Sequence, residues 1–572
     1  MNRGQTHRPQ GIRPDTGPAT GMRALLTALL LATAILAGCA SPDRAGDEAV
    51  EPVRDPDWAN RAIFLGADPE ATDFIPDHDH GDPALHKGLS TPNFELLGHD
   101  PLLSSYYRAS AGTAWCGDVA KEGGRRLAVV HSFSTDVALT VIDVTDPALP
   151  TMVGELVLPY DFTYDVAIFE DGRYAVIAGN PDLATDPPEG DLPNGNLPWT
   201  GAWRDACGTV SPMQGPADGL PHGYSAILVD LADPSAPFVA DFYEYPGGRN
   251  VHSISTAFAD GVRYVATSGL GALPCTLPSV SGQPVPNPVP CEPAIPRYGN
   301  LLSHYDFLTV EETPAGARLV VHNVYTPTDQ AHLDPSLLYL SNGHTDATLE
   351  KHPVTGDLLA YLADWDGGLH IVRLEGAGDT TPIASWGLAP GGDNSQMTGN
   401  VHSVRPVEGL RDGRHLLLVG QEVVGRPAGR PSGQVAILDV TDPAVPERVA
   451  KWTLPVDVSW SPAQGLLFST HYPVLANDTL FVSMYHAGVW AADFSEENWP
   501  DLPSVGVYLP DKDPAGEVHA ASPAPEVLET LRLGGSDLLV FDGNSGAYTL
   551  RWHGIHPDVP PALPWADNTW MG

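Results

Sequence analysis

Seven residues suited to metal ligation or acid–base work recur in similar surroundings: Asp118, Asp165, His252, His344, His402, His471 and His519. Four of the settings read Tyr-Asp-Val-Ala, Asn-Val-His-Ser, Asn-Val-His-Ser and Glu-Val-His-Ala, and most lead into an apolar run such as RYAVIAG, RYVATSG or HLLLVGQE. Neutral imidazole suits copper, zinc, iron or nickel, and a histidine-rich, thiolate-free set leans to copper first and zinc second. Calcium would want more oxygen ligands. On this reading His252, His344, His402, His471 and His519 are the metal ligands, with His486 beside them. Asp118 and Asp165 are the catalytic carboxylates, flanking an open side where water or a small-molecule substrate binds. The same pattern also fits histidines that tie neighbouring strands together.

The elements that position these residues are strands. A second phrase, apolar-Asp-x-x-Asp-Pro, recurs as TVIDVTDPALP (140–150), ILVDLADPSAP (227–237) and VAILDVTDPAVP (435–446). The β-branched run predicts a strand and Asp-Pro the turn that ends it. Each unit then holds four strands, the first opening at the His/Asp position. The units predict an all-β, seven-bladed β-propeller over 93–555. The last unit lacks a fourth strand, and NFELLGHDPL (93–102) has the pattern to supply it from the chain's other end. Long insertions at 180–222 and 270–300 are placed on the channel mouth with the His/Asp positions, as are Asp364, Asp366, Glu422 and His486 at the ends of second strands.

Outside the propeller, 1–39 reads as a signal segment ending in Leu36-Ala37-Gly38-Cys39, a lipoprotein cleavage site, with 40–92 a tether and strap and 556–572 a tail. This predicts export and a lipid anchor at Cys39, on the periplasmic side or the cell surface. A formal net charge of −41 over 572 residues disfavours nucleic acid and anionic lipid as partners. An even set remains, Cys116, Cys207, Cys275 and Cys291, and predicts disulfides Cys116–Cys207 and Cys275–Cys291. The cluster Asp77-His78-Asp79-His80 with His86 precedes the closing strand and is placed on the opposite face. No nucleophile elbow, phosphate loop or CxxC appears. Ser253 and Ser403 follow histidines, but adjacent strand residues point to opposite faces, which argues against a Ser–His dyad.

The repeats resemble the LVIVD-repeat family of surface β-propellers, a resemblance that implies the fold and names no reaction. The His252 and His402 segments are also similar to the inner strands of the nitrous oxide reductase propeller. No cupredoxin domain follows residue 555, however, and two of the positions are aspartate. STHYPVLANDTLFVSMYHAGVWAADFS (469–495) looks like a repeat of the methanethiol oxidase/selenium-binding-protein family. These likenesses imply a copper-dependent oxidoreductase served by an external electron-transfer partner. The alternative from the same residues is a non-enzymatic surface propeller that binds a protein or glycan.

Overall fold

A computed structural model describes residues 90–102, 116–120, 125–131, 137–157, 160–181, 225–244, 251–272, 276–277, 285–286, 301–314, 316–327, 346–364, 367–375, 379–387, 401–422, 433–454, 469–485, 487–510, 527–543 and 546–555. These residues form seven four-stranded antiparallel sheets and one two-stranded sheet, Thr276–Leu277 with Val285–Pro286. Blade one runs Gly117–Val119, Leu127–Val130, Val137–Asp143 and Thr151–Val157. Blades two to six follow in the same simple order, with first strands Tyr160–Ile168, Ser253–Ala259, Asp346–Lys351, Val401–Pro406 and Pro473–Ala476. Blade seven takes Val527–Gly534, Asp537–Asp542 and Gly546–Trp552 from the end of the chain and its outer strand, Phe94–Asp100, from the beginning. Each first strand packs beside the first strand of the next blade, and blade seven returns to blade one. The chain is therefore a closed seven-bladed β-propeller.

Both faces of every sheet meet a neighbouring blade, so the strands read as near-continuous apolar runs rather than alternating ones. Val137–Asp143 and Leu416–Gln421 are buried along almost their whole length. The core is correspondingly divided into seven apolar clusters, one in each seam between adjacent blades.

The Asp-x-x-Asp-Pro phrase forms the same turn each time. In blade five Thr441 N–H donates to Asp439 Oδ1 at 2.9 Å and Ala444 N–H to Asp442 Oδ1 at 3.0 Å. Asp143 and Asp146 repeat this in blade one, and Asp230 and Asp233 in blade two. Each carboxylate satisfies an amide that leaves the strand, and proline fixes the backbone of the next turn position. The turn packs against the outer strand of the preceding blade. A Cβ on Gly98 would meet Pro147 O and Pro150 of blade one, and one on Gly154 would meet Pro234 O of blade two.

Most of both insertions, the Asp77–His86 cluster, the signal segment and the Cys275–Cys291 pair lie outside the described residues. Among the described residues, no helix is long and apolar enough to cross a membrane.

Candidate functional site

Strand pairing shows which first-strand residues share a level around the channel. Asp165 faces Ala178, Ser253 faces Ser268, Asp346 faces Ala363, Ser403 faces Gly420 and Glu529 faces Phe541. Backbone hydrogen bonds place Cys116 opposite His131 and Tyr472 opposite Ser483 at the same level. The common level is thus Cys116, Asp165, Ser253, Asp346, Ser403, Tyr472 and Glu529. This corrects the expectation of one position shared by Asp118, Asp165 and the histidines. His252, His402 and His471 lie one residue before the level, Asp165 lies on it, and Asp118 lies two residues past it. A register shift between Thr163 and Asp165 and the short first strand of blade one produce the offset. His344, His486 and His519 lie outside the described residues.

Asp118 and Asp165 both bridge blades. Asp118 accepts from its neighbour Val119 N–H at 2.8 Å and from Ile168 N–H of blade two at 3.1 Å. Asp165 accepts from Val166 N–H at 2.8 Å and from Ile254 N–H of blade three at 2.9 Å. Asp346 repeats the device, reaching Val404 N–H of blade five at 3.1 Å. The two serines beside histidines also serve the seams. Ser403 Oγ donates to His471 O at 2.7 Å, and Ser253 Oγ pairs with Ser268 Oγ at 3.0 Å.

Three of the expected ligands do converge. The His402 and His471 rings stand 4.4 Å apart between centroids, and His252 stands 6.3 Å from His402. Glu422, just past the second strand of blade five, brings Oε2 to 3.6 Å from His402 Nε2. One donor atom each from His402, Glu422 and His471 lies within 4.8 Å of the others, and all three side chains are buried. His471 Nδ1 donates to Leu528 O of blade seven at 2.6 Å, which leaves Nε2 as its available donor. Tyr485 O–H donates to Glu422 Oε1, and the rings of Tyr472 and Tyr485 pack edge-on against His471.

Burial decides the charge states here. It pushes His402 well below the usual histidine range, helped by the nearby His471 and His252 rings, and takes His471 down to about 3. It also lifts Glu422 to about 7 against the Tyr485 hydrogen bond. Two imidazoles are therefore neutral, with donor lone pairs free of protons at neutral pH, which is the state a metal binds.

Beside this group lies a network that the sequence reading did not single out. Arg405, two residues past Ser403 and so on the same face of its strand, donates to Asp346 at 3.0 Å and to Glu529 at 3.3 Å. Its guanidinium lies 4.4 Å over the Tyr472 ring. Burial works against its charge, but Asp346 and Glu529 outweigh burial and hold the proton more tightly than usual. Burial lifts Glu529 to about 7 even with Arg405 beside it, and burial with the Glu529 charge lifts Asp165 well above the usual range. The available signal was a cation in a first strand, VHSVRP, matched by acids in DATLEK and VLETL.

Cys116 is a free, buried thiol, which corrects the expected bridge to Cys207. Its place beside His131 and Asp165 in the seam directs the sulfur inward. Asp364 is buried beside His370, whose Nε2 lies 3.5 Å from Asp364 Oδ2.

No family model matches the chain, and no curated protein matches it. Among solved structures it is similar to Sqt1 of Saccharomyces cerevisiae, at 10% identity over 76% of this chain and 95% of that one, with a TM-score of 0.38. It is also similar to the β-propeller domain of Cps50 (Swd1) from Myceliophteria thermophila, at 12% identity over 77% and 97%, with a TM-score of 0.39. The fold assignment rests on the seven sheets themselves.

Proposed function

We propose that this propeller binds a transition metal ion between blades five and six, through His402, His471 and Glu422, with His252 as the nearest further imidazole. The observation that carries the reading is the convergence of three buried donors within 4.8 Å. Ligands at about 2.0–2.1 Å from a tetrahedral ion stand roughly 3.4 Å apart, so His402 and Glu422, at 3.6 Å, are near bound spacing, and the His471 donor lies within 4.8 Å of both. The Leu528 carbonyl fixes the His471 ring, as a backbone partner commonly does for a metal-bound imidazole. With His252 included, the donor set favours copper, with zinc second.

The wider reading is an exported LVIVD-type surface propeller, lipid-anchored at Cys39 on the periplasmic side or cell surface. It acts as a copper-dependent oxidoreductase on a small molecule, with an external electron-transfer partner and no nucleic-acid partner. Glu422 supplies the carboxylate beside the metal that Asp118 and Asp165 were expected to supply. The Leu36-Ala37-Gly38-Cys39 motif and the repeat phrases support these parts.

The second reading, a non-enzymatic binding propeller with structural histidines, draws on the same His471–Leu528 bond. Metal analysis separates the two. Purified protein reconstituted with copper and freed of excess is expected to retain one ion that His402→Ala with His471→Ala releases. Retention unchanged by that pair, or no retained metal at all, sinks the metal reading in favour of the structural one.

A further inference from the structure

A second donor cluster lies between blades one and two. One donor atom each of Cys116, His131 and Asp165 lies within 4.8 Å of the others. The side chains are 3%, 0% and 7% exposed, so all three are more than nine-tenths buried. The construction repeats that of the first cluster. Cys116 stands just before the first strand of blade one and His131 just after the second, joined by His131 N–H to Cys116 O at 3.1 Å, and Asp165 comes from the first strand of the next blade. His402 in the first strand of blade five, Glu422 just after the second, and His471 just before the first strand of blade six are drawn from the corresponding three segments, with the two histidines one residue before the level of Cys116 and Asp165. Around the ring, blades three and four separate the clusters on one side and blade seven on the other.

The structure assigns Cys116, His131 and Asp165 as a second, thiolate-containing site for a thiophilic divalent ion of the zinc class. Sulfur, imidazole nitrogen and carboxylate oxygen are each zinc ligands, at about 2.3, 2.0–2.1 and 2.0–2.2 Å. Calcium and magnesium take oxygen and gain nothing from the first two. Asp165 is already oriented by two backbone amides, Val166 at 2.8 Å and Ile254 at 2.9 Å, one on each oxygen, and each oxygen keeps a further lone pair. Asp346 and Glu529 pair with a single guanidinium, Arg405, and Asp165 acts on it at longer range, so this part of the channel holds three acid groups to one cation. On binding, S–metal and O–metal bonds replace the Cys116 S–H bond and the O–H bond of protonated Asp165, and these protons leave to solvent. A Cys–His–Asp nucleophilic triad is the competing use of these residues. The sulfur is too buried for a substrate to reach it, at 3% exposure.

This site is independent of the first, and one titration tells them apart. The reduced, metal-free full-length protein is titrated with cobalt(II), following the near-ultraviolet sulfur-to-cobalt charge-transfer band. The wild-type chain is expected to develop the band, saturating at one thiolate-bound cobalt per chain. Cys116→Ser is expected to abolish it, and His131→Gln to weaken the cobalt affinity that produces it at least tenfold. His402→Ala with His471→Ala is expected to leave the band intact while lowering total bound cobalt by one equivalent. A wild-type chain without the band overturns the site whatever the first cluster does. A band that persists in Cys116→Ser assigns the thiolate to another cysteine and equally overturns it. Should Cys116→Ser not fold, an unchanged affinity in His131→Gln is the overturning result.

Discussion

His402 Nε2, in the first strand of blade five, and Glu422 Oε2, just past the second, approach to 3.6 Å, each nearly closed to solvent. The pair joins a neutral imidazole to a carboxyl that burial lifts to about 7. Neither group satisfies the other at this spacing, which is longer than a hydrogen bond. A cation between them would use both.

The Tyr485 hydroxyl that holds Glu422 is the simplest probe of that geometry. Tyr485→Phe keeps the ring packed on His471 and removes only the hydrogen bond. Orienting partners of this kind are worth about ten- to a hundredfold in metal affinity. Copper affinity is expected to fall by that factor, measured by competition with a chelator, while the melting temperature of the metal-free protein moves little. An affinity unchanged in this variant would place the metal elsewhere.

Arg405 is expected to matter for stability rather than for metal retention. Its partners Asp346 and Glu529 are each 1% exposed, and Arg405→Met leaves both buried carboxyls without their cation. Breaking a buried charge network from one side costs about 3–5 kcal/mol. Denaturant unfolding of Arg405→Met should show a loss of that order. Adding Glu529→Gln should recover part of it, because the second change removes a group the first left unpaired. Arg405→Lys should recover less than a charge count suggests, since one ammonium does not span two carboxylates as the guanidinium does.

Much of this architecture was legible because it repeats. Asp143, Asp230 and Asp439 announce the ends of third strands through their local turns, and a short phrase such as NFELLGHDPL needs only a vacant edge at Gly546–Trp552 to find its place. His252, His402 and His471 were legible as a group for the same reason. Asp165 and Asp118 were aligned with them wrongly, by one and by three residues, because a register shift in a strand changes no residue type, only the level at which it sits. Arg405 and His131 lie outside the aligned positions, and Glu422 was placed at the channel mouth without its partners, so their contacts are visible only when neighbouring blades are placed side by side. The Cys116–Cys207 bridge failed for a related reason. An even count of cysteines says nothing about which sulfurs point into a seam.

The Glu529 carboxyl sets a pH dependence with a definite sign. Burial lifts it to about 7 in the folded chain from an ordinary value near 4.5, so the folded state holds the proton more tightly than the unfolded state. Stability from this group is therefore present at low pH and lost as pH rises through about 7. Between pH 5 and 8 the loss amounts to about 2–3 kcal/mol for one such group. Asp165, raised in the same way, acts in the same direction. The depressed imidazoles His402 and His471 act in the opposite direction over the same range, so the Glu529 part is read from the substitution. Between pH 5 and pH 8 the stability of metal-free Glu529→Gln is expected to fall less, or rise more, than that of the metal-free wild-type protein. A difference of the opposite sign, or none, would contradict the buried-acid account.

Closure of the ring by Phe94–Asp100 gives the last prediction. The strand pairs with Gly546–Trp552, and Phe94 packs its ring 4.7 Å from Trp552 and 6.0 Å from both Phe481 and Tyr508. Ahead of it, Thr91 N–H donates to Val507 O at 2.8 Å and Asn93 Nδ2 to Val505 O at 3.0 Å, so the segment is stitched to blade six as well as blade seven. Phe94→Ala removes the aromatic anchor, and a buried Phe→Ala change costs about 3–5 kcal/mol. Because the strand is a chain-end element, the loss should appear first as faster hydrogen exchange in 94–100 and 546–552, ahead of any change in blades two to five. A chain beginning at residue 103 exposes the whole Gly546–Trp552 edge, whose unpaired amides and carbonyls template pairing with another molecule. It is expected to elute as oligomers and to return to monomer when a peptide of residues 90–102 is added. Monomeric behaviour of the truncated chain without the peptide would mean that the closing strand contributes little to holding the ring shut.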